Sequence, residues 1–588
     1  MAYRVSVLIC VHLGPRLLLA SLAVASALAL AQERPSQLEP PSGWTAKKLA
    51  HAKKYMVAAA NPLAVDAGVT MLERGGSALD AMIATQLVLN LVEPTSSGLG
   101  GGAFLLFYDA KAKAVRAIDA RETAPAGATP ALFTKPDGTP MAFLEARVGG
   151  RSVGTPGTPR LLEVAHARNG KLPWATLFQP AIELAERGFP VSPRLNRMVG
   201  ADKGLANEPA ARAYFFDDAG KPKAFGTVIR NPEFAATLRA IAAKGADAYY
   251  TGDIAKDIVA AVHAHRNPGT LSLDDLAAYR VRDVEALCGT YRVWKLCGMP
   301  PSSSGGIAVL QILGELEPRD MSKVRPGTVE AVHLFSEAER LAFADRNRYV
   351  ADDRFVDVPV KGLVDRAYIA SRARLIRPES SMGTANAGTP PGAKDALAGD
   401  PADEAMGTSQ ISIVDGEGNA VSMTTTIESL YGSRIMVRGF FLNNELTDFS
   451  FLPVDDGVPV ANAVAPGKRP RSSMAPFLVF DRGGALDMML GSPGGSLIIG
   501  YVSKVLVGVL DWGLDVQSAI DLPNFGSRNG PIEIEKGSAL EGTTAALVAM
   551  GHDVREIDMT SGVQAIRRAR GGWEGGADPR REGVARGR

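Results

Sequence analysis

The pattern of hydrophobic and polar positions changes at residue 408. Residues 376–407 are mostly Gly, Ala, Pro, Ser and Asp, a composition that cannot bury a core and predicts a flexible linker. From Thr408 onward, apolar and polar side chains alternate as in a half-buried strand, and residues 415–419 (Asp-Gly-Glu-Gly-Asn) have turn composition. Because Ala420–Thr426 then continues with strand character, the pattern predicts a β-hairpin directly after the linker.

The turn determines which residues of this hairpin face each other. Pairing Val414 with Ala420 across the turn sets the register, and at the far end of the strands the same register pairs Thr408 with Thr426. Opposed Cβ atoms lie about 5 Å apart, close enough for two hydroxyls to hydrogen-bond. Gly407 offers Thr408 an unhindered carbonyl, and an N-to-O acyl shift followed by ester hydrolysis would free the threonine amine as a base. The hairpin therefore predicts that the chain cuts itself between Gly407 and Thr408.

Before the linker, the chain predicts helices, a glycine run and then strands. Helical patterns cover residues 62–74 and 77–92, and strand patterns cover 103–108 and 114–120. The run between them, 98–102 (Gly-Leu-Gly-Gly-Gly), does not match a dinucleotide-binding loop, which needs a strand before its glycines and a helix after them. Glycines here instead predict backbone that passes close to other backbone or to a buried site.

Residues 150–375 predict mostly helices. The pattern at 172–187 is amphipathic, and a second long helix is predicted over Val329–Tyr349. Its charged residues are predicted to form a solvated face: Glu337, Glu339, Arg340, Asp345 and Arg346.

Near the C-terminus, a strand at 485–490 runs through Gly494 and Gly495 into an apolar helix at 497–510. Backbone N–H groups at a helix start carry the positive end of the helix dipole, which suits an oxyanion hole. An ordinary strand-to-helix turn fits the same spacing equally well.

The N-terminus has the pattern of an exported protein. Arg4 and Arg16 are followed by a short apolar run that ends Ala-Leu-Ala at residue 31, which predicts a secretory signal peptide over 1–31. A membrane anchor is the alternative, but the uncharged run is shorter than the roughly 20 residues that span a bilayer. We therefore expect a periplasmic or secreted protein without a stable membrane span.

Composition limits the classes of protein, partner and cofactor that remain possible. The 588 residues are 46% hydrophobic and 22% charged, as in ordinary globular proteins, and the net charge of +1 gives no reason to expect a nucleic acid partner. Cys288 and Cys297 lie on what the pattern predicts as paired short strands, where they form either one disulfide or two buried thiols. Two cysteines without nearby histidines lack a metal ligand set, so no metal and no other cofactor is expected.

Six motifs together resemble the γ-glutamyltranspeptidase family of N-terminal-nucleophile hydrolases. The similarity runs from about residue 55 to residue 580. The motifs are Gly407-Thr408 after a linker, 119–125 (Asp-Ala-Arg-Glu-Thr-Ala-Pro), 154–157 (Gly-Thr-Pro-Gly), 443–450 (Asn-Asn-Glu-Leu-Thr-Asp-Phe-Ser), 471–474 (Arg-Ser-Ser-Met) and 491–496 (Gly-Ser-Pro-Gly-Gly-Ser). The resemblance implies an α+β fold, a four-layer αββα sandwich built from both processed subunits, with a large subunit 32–407 and a small catalytic subunit 408–588.

The resemblance also implies roles for particular residues. Thr408 matches the autoprocessing and catalytic nucleophile, and Thr426 the second threonine that hydrogen-bonds it. Arg121 matches the arginine that binds the donor's α-carboxylate, a task that suits a bidentate guanidinium. The other matches are the ammonium acceptors Glu445 and Asp448, the hydroxyl donors Ser472 and Ser473, and the oxyanion-hole glycines Gly494 and Gly495.

Two departures from the family pattern concern the donor pocket. Glu428 stands where family members commonly have an asparagine that contacts the donor head group, and a carboxylate there would accept from an ammonium but repel a carboxylate. The segment between Ser450 and Ser472 is short and contains no Tyr or Trp, so the covering aromatic of lidded members is absent. Both departures predict a more open pocket with altered specificity.

The resemblance implies a γ-glutamyltransferase or glutathione hydrolase that passes a γ-glutamyl group from Thr408 to water or to an amino acid or peptide amine. One alternative is a related amidase that acts on cephalosporin-type acyl side chains. Another is a relative that binds such a ligand without cleaving it.

Overall fold

Two seven-stranded antiparallel sheets, here called sheet I and sheet II, lie at the centre of the protein. The computed structural model describes residues 39–394, 396–400 and 407–588. The predicted signal peptide at 1–31 and the last residues of the predicted linker, 401–406, lie outside the described residues.

Sheet I combines strands from both sides of the predicted cleavage point. The predicted hairpin is present, and its two strands pair outward with Met56–Ala59 on one side and Gly102–Asp109 on the other. In spatial order the strands are Val584–Gly587, Met56–Ala59, Thr408–Val414, Ala420–Thr426, Gly102–Asp109, Ala114–Ala120 and Arg282–Val284. Separating the chain before and after residue 407 would therefore break the middle of sheet I.

Sheet II is also shared between the two parts of the chain. Its strands in spatial order are Ala50–Ala52, Gly572–Ala577, Gln564–Ala569, Leu486–Gly491, Phe477–Phe480, Trp294–Gly298 and Leu287–Tyr291. Cys288 and Cys297 face each other in the outermost strand pair and are joined by a disulfide.

The alternation of side chains along the strands explains the layered order. In Gly102–Asp109, Phe104 and Leu106 pack in a core with sheet II residues, whereas Leu105 and Phe107 pack in a second core with helical residues. Because successive side chains point to opposite faces, sheet I is buried on both sides.

Helices complete the sandwich on its two outer faces. Pro62–Glu73 and Ala78–Val92 share the core on the outer side of sheet I, and Gly305–Leu316 and Ile498–Leu510 pack on sheet II. This arrangement confirms the predicted α+β, αββα fold class.

The remaining helices surround the sandwich. The predicted amphipathic helix at 172–187 begins later than expected, because a 3₁₀ turn at Trp174–Phe178 precedes Gln179–Arg187. The others are Phe143–Arg147, Thr158–Asn169, Pro193–Ala201, Pro209–Phe215, Pro232–Lys244, Asp247–Tyr250, Asp253–Ala264, Leu273–Ala278, Val329–Tyr349, Val360–Leu363, Arg366–Ala373, Val516–Asp521 and Thr544–Ala549. Short strands outside the two sheets are Phe189–Pro190 with Val228–Ile229, Met436–Val437 with Phe440–Phe441, Val454–Asp455 with Val458–Pro459, and Phe525–Gly526 with Ile532–Glu535 and Val554–Ile557. No helix in the described ranges is both long enough and apolar enough to cross a membrane.

The helix Val329–Tyr349 has the predicted bounds, but its predicted solvated face was wrong. All five charged residues of that face, Glu337, Glu339, Arg340, Asp345 and Arg346, are buried. Their charges find partners inside the protein: the backbone N–H of Ser527 donates to Glu339 at 2.6 Å, and the Tyr368 hydroxyl donates to Asp345 at 2.7 Å. Buried charges need such partners, and the segments that supply them are far away in sequence.

The described part of the predicted linker follows a defined path. It contains isolated bridges rather than helices or strands, and its backbone N–H groups donate to other segments. Ser381 donates to the carbonyl of Met550 at 2.8 Å, Ala385 to the Asn529 side chain at 2.7 Å, and Ala398 to the carbonyl of Pro459 at 2.9 Å. The composition predicted flexibility because the segment has few side chains that could form a core. Composition does not show where backbone N–H and C=O groups find hydrogen-bond partners.

Candidate active site

The hydroxyls of Thr408 and Thr426 meet at the end of the hairpin. Thr408 is paired with Thr426 and Val414 with Ala420, which confirms the predicted register. Thr408 Oγ1 donates to Thr426 Oγ1 at 3.3 Å, and Thr426 Oγ1 donates to the carbonyl oxygen of Gly407 at 2.7 Å. One hydroxyl thus contacts both the neighbouring hydroxyl and the carbonyl of the Gly407–Thr408 peptide bond.

The Thr426 hydroxyl uses both its proton and its two lone pairs in hydrogen bonds. Its oxygen also accepts a hydrogen bond from the Glu428 backbone N–H at 2.8 Å. A hydroxyl has one proton and two lone pairs, so the proton goes to Gly407 and the lone pairs accept from Thr408 and Glu428. This fixes the direction of the Thr426 proton toward the Gly407 carbonyl.

Glycines allow the backbone to approach closely around these threonines. A Cβ atom added to Gly407 would lie 2.3 Å from the carbonyl oxygen of Glu428, and one added to Gly101 would lie 1.9 Å from that of Thr426. No side chain fits at either position. The close approach predicted for the glycine run at 98–102 is therefore confirmed.

Arg121 lies at the end of the strand Ala114–Ala120 and is 1% exposed. Its guanidinium forms ion pairs with Glu445 and Asp448, and its Nη2 donates to the Arg471 carbonyl at 3.0 Å. The structure thus brings together one cation and two anions that the sequence places more than 300 residues apart. Such a set can exchange its internal ion pairs for those of a bound amino-acid head group.

A third carboxyl group, that of Glu122, belongs to this cluster. Glu122 is 0% exposed, and neither of its carboxylate oxygens has a hydrogen-bond partner among the described residues. Burial raises the pKa of Glu122 to about 7 and the pKa of Glu445 well above its usual range, although Arg121 opposes both shifts. The excess of carboxyl groups over guanidinium favours a ligand that brings a positive charge.

Glu428 connects the threonine pair to the arginine cluster. It has a left-handed backbone with φ of 76°, and its side chain is buried. Its carboxylate accepts hydrogen bonds from the Ser429 hydroxyl and from the Asn444 amide, and Asn444 directly precedes Glu445. The Glu428 carboxylate is thus held between the threonine pair and the cluster of Arg121, Glu445 and Asp448.

Ser472 and Ser473 follow the backbone that Arg121 contacts. The Ser472 N–H donates to the Ser302 carbonyl at 3.1 Å, and its hydroxyl accepts from the Met474 N–H at 3.1 Å. The Ser473 hydroxyl accepts from Arg346 at 2.7 Å. Both serines are buried, and residues from before the linker hold them in place.

Gly494 and Gly495 form the entrance to the helix Ile498–Leu510. Their φ values of 141° and 57° lie in the region that favours glycine. A Cβ atom on Gly494 would also lie 2.6 Å from the Tyr501 ring. The turn at Gly494 therefore requires glycine, because its backbone conformation and the Tyr501 ring both exclude a side chain.

This glycine turn begins next to the start of the hairpin. Gly491 ends the preceding strand, and a Cβ atom there would lie 2.2 Å from Oε1 of Gln410. Gln410 is on the same strand as Thr408, whose carbonyl accepts from Arg581 at 3.4 Å. The strand of sheet II that ends at Gly491 thus brings the glycine turn close to the end of sheet I that carries Thr408 and Thr426.

Comparison with known proteins identifies the family. Residues 64–587 match the sequence profile of the family described as Gamma-glutamyltranspeptidase. This chain belongs to the γ-glutamyltranspeptidase family. It is 35% identical over 559 residues to a protein of Bacillus subtilis strain 168 named glutathione hydrolase proenzyme, covering 93% of this chain and 94% of that protein.

The names of similar proteins indicate more than one activity. The chain is 35% identical over 529 residues to the acylase ACY 1 proenzyme of Pseudomonas sp. strain SE83, covering 88% of this chain and 91% of that protein. The crystal structure of cephalosporin acylase from Bacillus halodurans superposes with a TM-score of 0.79 at 28% identity, covering 94% of this chain and 98% of that chain. Helicobacter pylori gamma-glutamyltranspeptidase matches with a TM-score of 0.53 at 32% identity, covering 58% of this chain and 95% of that chain.

Within the described ranges, one group of potential metal ligands lies close together: His333, Glu337 and His552. His333 Nε2 faces the Arg377 carbonyl at 2.7 Å, and His333 Nδ1 faces His552 Nε2 at 2.7 Å. Since a carbonyl only accepts, His333 donates from Nε2 and accepts at Nδ1 from His552. Arg340 Nε lies 3.2 Å from Glu337, so this carboxylate already has a cation beside it.

This histidine pair predicts a pH effect on stability. Burial, together with His333 and Arg340, lowers the pKa of His552 to about 4, whereas an unfolded histidine titrates near pH 6.5. Below about pH 6.5 the unfolded chain takes up a proton that the folded protein refuses, so stability falls as the pH drops toward 4. We expect His552→Gln to reduce the fall in melting temperature between pH 7 and pH 5.

The comparison is between two slopes, so a general destabilisation by the variant does not affect it. Glu337, whose pKa is raised by burial, titrates in the opposite sense and is present in both proteins. Arg319 and Glu379, which also act on His333, are unchanged in the variant. Equal slopes for variant and wild type would contradict the prediction.

Two residues at this site were not assigned from the sequence. Glu122 directly follows Arg121 at a strand end, a position that indicated its proximity but not that its oxygens lack hydrogen-bond partners in the described part of the chain. Arg346 was grouped with a solvated helix face, and only the packing of the serine segment against the helix shows its contact with Ser473. Neither signal is visible without the tertiary structure.

Proposed function

We propose that this protein is a self-processing γ-glutamyl hydrolase and transferase with Thr408 as its nucleophile. The observation that carries the proposal is the chain of hydrogen bonds from Thr408 Oγ1 through Thr426 Oγ1 to the Gly407 carbonyl. It supports the proposal because the candidate nucleophile Thr408, the hydrogen-bond donor Thr426 and the Gly407 carbonyl lie together at the predicted cleavage point.

In the first stage, Thr408 Oγ1 attacks the carbonyl carbon of Gly407. The Thr426 hydroxyl donates to the carbonyl oxygen as negative charge develops on it. The Gly407–Thr408 amide bond breaks, the nitrogen takes up a proton, and the acyl group is left as an ester on Oγ1. Water then hydrolyses this ester and leaves a carboxylate on Gly407 and a free α-amine on Thr408.

In the second stage, the new amine acts as the base for Thr408 Oγ1. Arg121 binds the α-carboxylate of a γ-glutamyl donor such as glutathione, while Glu445 and Asp448 bind its α-ammonium. Oγ1 attacks the γ-carbonyl, and the leaving amine takes a proton. The N–H groups of Gly494 and Gly495 stabilise the oxyanion. Water or an amino acid or peptide amine then accepts the γ-glutamyl group.

The two products of processing, 32–407 and 408–588, remain together in this proposal because they alternate within sheet I. We further propose that residues 1–31 direct export to the periplasm or the exterior and are removed. The chemistry assigned to these residues uses no metal and no organic cofactor.

A second candidate function is hydrolysis of a cephalosporin-type acyl side chain. It is favoured by the short segment before Ser472, in which Val454, Asp455 and Pro459 of a small hairpin are exposed. The deciding experiment compares γ-glutamyl p-nitroanilide with glutaryl p-nitroanilide, which lacks the α-ammonium. The proposed function predicts a kcat/KM at least about tenfold higher for the γ-glutamyl compound, because two carboxylates then gain a partner. A preference for the glutaryl compound would reverse the assignment.

Glu428 gives a further prediction about donor affinity. We expect Glu428→Asn to lower the KM for γ-glutamyl p-nitroanilide by about tenfold, because it removes a negative charge that repels the donor carboxylate. The 4-aminobutanoyl anilide, which lacks this carboxylate, should show no such gain. Glu428→Gln is the matched control for shape, and an unchanged KM in both variants would contradict a role for the charge.

A further inference from the structure

Arg346 connects the helix Val329–Tyr349 to both sides of the serine segment. Its Nε donates to the Ser304 hydroxyl at 2.9 Å, and its Nη2 donates to the Ser473 hydroxyl at 2.7 Å. The side chain of Arg346 is 1% exposed, and its Cζ lies 5.4 Å from the centre of the Phe343 ring. A buried guanidinium is therefore held in one orientation, with two serines on its fork.

The hydrogen bond to Ser473 fixes the role of each atom. A guanidinium has only donors, so the Ser473 oxygen must accept from Arg346. The Ser473 proton then cannot point at Arg346 and is directed away from it. An oxygen that accepts from a cation is also a stronger donor, because hydrogen bonds in a chain polarise one another.

The Ser304 branch fixes the backbone on which Ser473 lies. The Ser304 hydroxyl accepts from Arg346 and donates to the Ser472 carbonyl at 2.7 Å, and the Ser304 N–H donates to the same carbonyl at 2.6 Å. The Ser472 N–H donates a further hydrogen bond to the Ser302 carbonyl. Arg346 thus holds the Ser473 hydroxyl with one nitrogen and, through Ser304, its backbone with another.

We propose that Arg346 is a positioning residue for donor binding, which orients the Ser473 hydroxyl so that it donates to the α-carboxylate of the donor. This inference rests on the proposed function, since it assumes a γ-glutamyl donor bound by Arg121. The Ser472–Ser473 backbone directly follows Arg471, whose carbonyl accepts from Arg121. The oriented hydroxyl and the Arg121 guanidinium therefore act on the same carboxylate.

The planar fork distinguishes this role from that of a simple positive charge. An ammonium is a point charge and cannot hold Ser304 and Ser473 with fixed, separate donors. Arg346→Lys should therefore keep the charge but lose the orientation. Arg346→Gln should lose both.

The experiment measures kcat and KM for γ-glutamyl p-nitroanilide and for the 4-aminobutanoyl analogue without the α-carboxylate. The proteins are wild type, R346K, R346Q, S473A and the double variant R346K/S473A. Arg348→Gln is the control, because Arg348 lies on the same helix with its guanidinium over Tyr349. Melting temperature and a denaturing gel establish that each variant is folded and processed as the wild type is.

We expect R346K to raise the KM for the γ-glutamyl compound by about 10- to 100-fold, the scale of one hydrogen bond to a charged group. Its kcat should change less, and the 4-aminobutanoyl compound should show no difference. The double variant should be no worse than S473A alone, because both changes remove the same contact. R348Q should match the wild type.

Three outcomes would overturn the inference. One is an unchanged KM in R346K and R346Q while the wild type is active. Another is an equal loss on both substrates, which would mean that Arg346 only supports the fold. The third is the absence of γ-glutamyl turnover in the wild type. That result would overturn the proposed function as well, and the wild-type measurement alone distinguishes it from the other two outcomes. If R346Q does not fold, R346K and S473A still decide the question.

Discussion

Replacing Thr408 by alanine should abolish both self-cleavage and turnover. The variant keeps the hairpin, because an alanine backbone at this position would still pair with Thr426, but it has no Oγ1 to attack the Gly407 carbonyl. On a denaturing gel we expect one band for Thr408→Ala and two bands for the wild type. N-terminal sequencing of the smaller wild-type band should begin at Thr408.

The loss of activity should exceed about three orders of magnitude, the scale on which removal of a covalent nucleophile is felt. Thr408→Ser is the matched control, since it keeps the oxygen and removes only a methyl group. It should still be processed and should retain measurable γ-glutamyl turnover. An uncut wild type with full activity, or an alanine variant that retains activity, would disprove the assignment of Thr408.

Replacing Arg121 by glutamine should have the second-largest effect, on both binding and stability. Arg121 is the cation between Glu445 and Asp448, and all three side chains are buried. Without it these carboxyls lose their cation, which typically costs about 3–5 kcal/mol of stability. The donor carboxylate also loses its partner, so kcat/KM for γ-glutamyl p-nitroanilide should fall by about 10²- to 10³-fold.

Arg121→Lys separates these two effects. A lysine keeps a positive charge near Glu445 and Asp448, so most of the stability should return. It cannot bind a carboxylate bidentately, so the loss in kcat/KM should largely remain. The measurements are melting temperature and steady-state kinetics of both variants. If the lysine variant recovered full activity, or if the glutamine variant lost stability but no kcat/KM, Arg121 would be a structural residue only.

Local sequence was sufficient where neighbouring residues determine the structure. The turn at 415–419 fixed the hairpin and its register, because pairing across a turn follows from counting residues away from it. The bounds of Ala114–Ala120 and Val329–Tyr349 agree with the predicted ones, since strand alternation and helical periodicity are local properties. The glycine run at 98–102 predicted a close backbone approach, although not the residues it approaches.

Local sequence was misleading where the partner lies far along the chain. Charged residues at helical spacing have the same pattern on a solvated face as in a buried polar network. For Val329–Tyr349 the difference lies in Ser527, Tyr368 and Ser473, which no local window contains. The segment 376–400 is a similar case, because its composition shows what it cannot bury but not what its backbone can bond.

Residues close together in the chain were enough to predict the hairpin and the facing threonines, and the motifs predicted the family and the candidate residues. Long-range packing was needed to bring Arg121 to Glu445 and Asp448, to bury Glu122 beside them, and to bond Arg346 to Ser473. The physical reason is the distance along the chain over which each interaction acts. Turns, caps and periodicity act between residues close in the chain, whereas a buried charge is satisfied by whichever segment the packed sheets bring beside it.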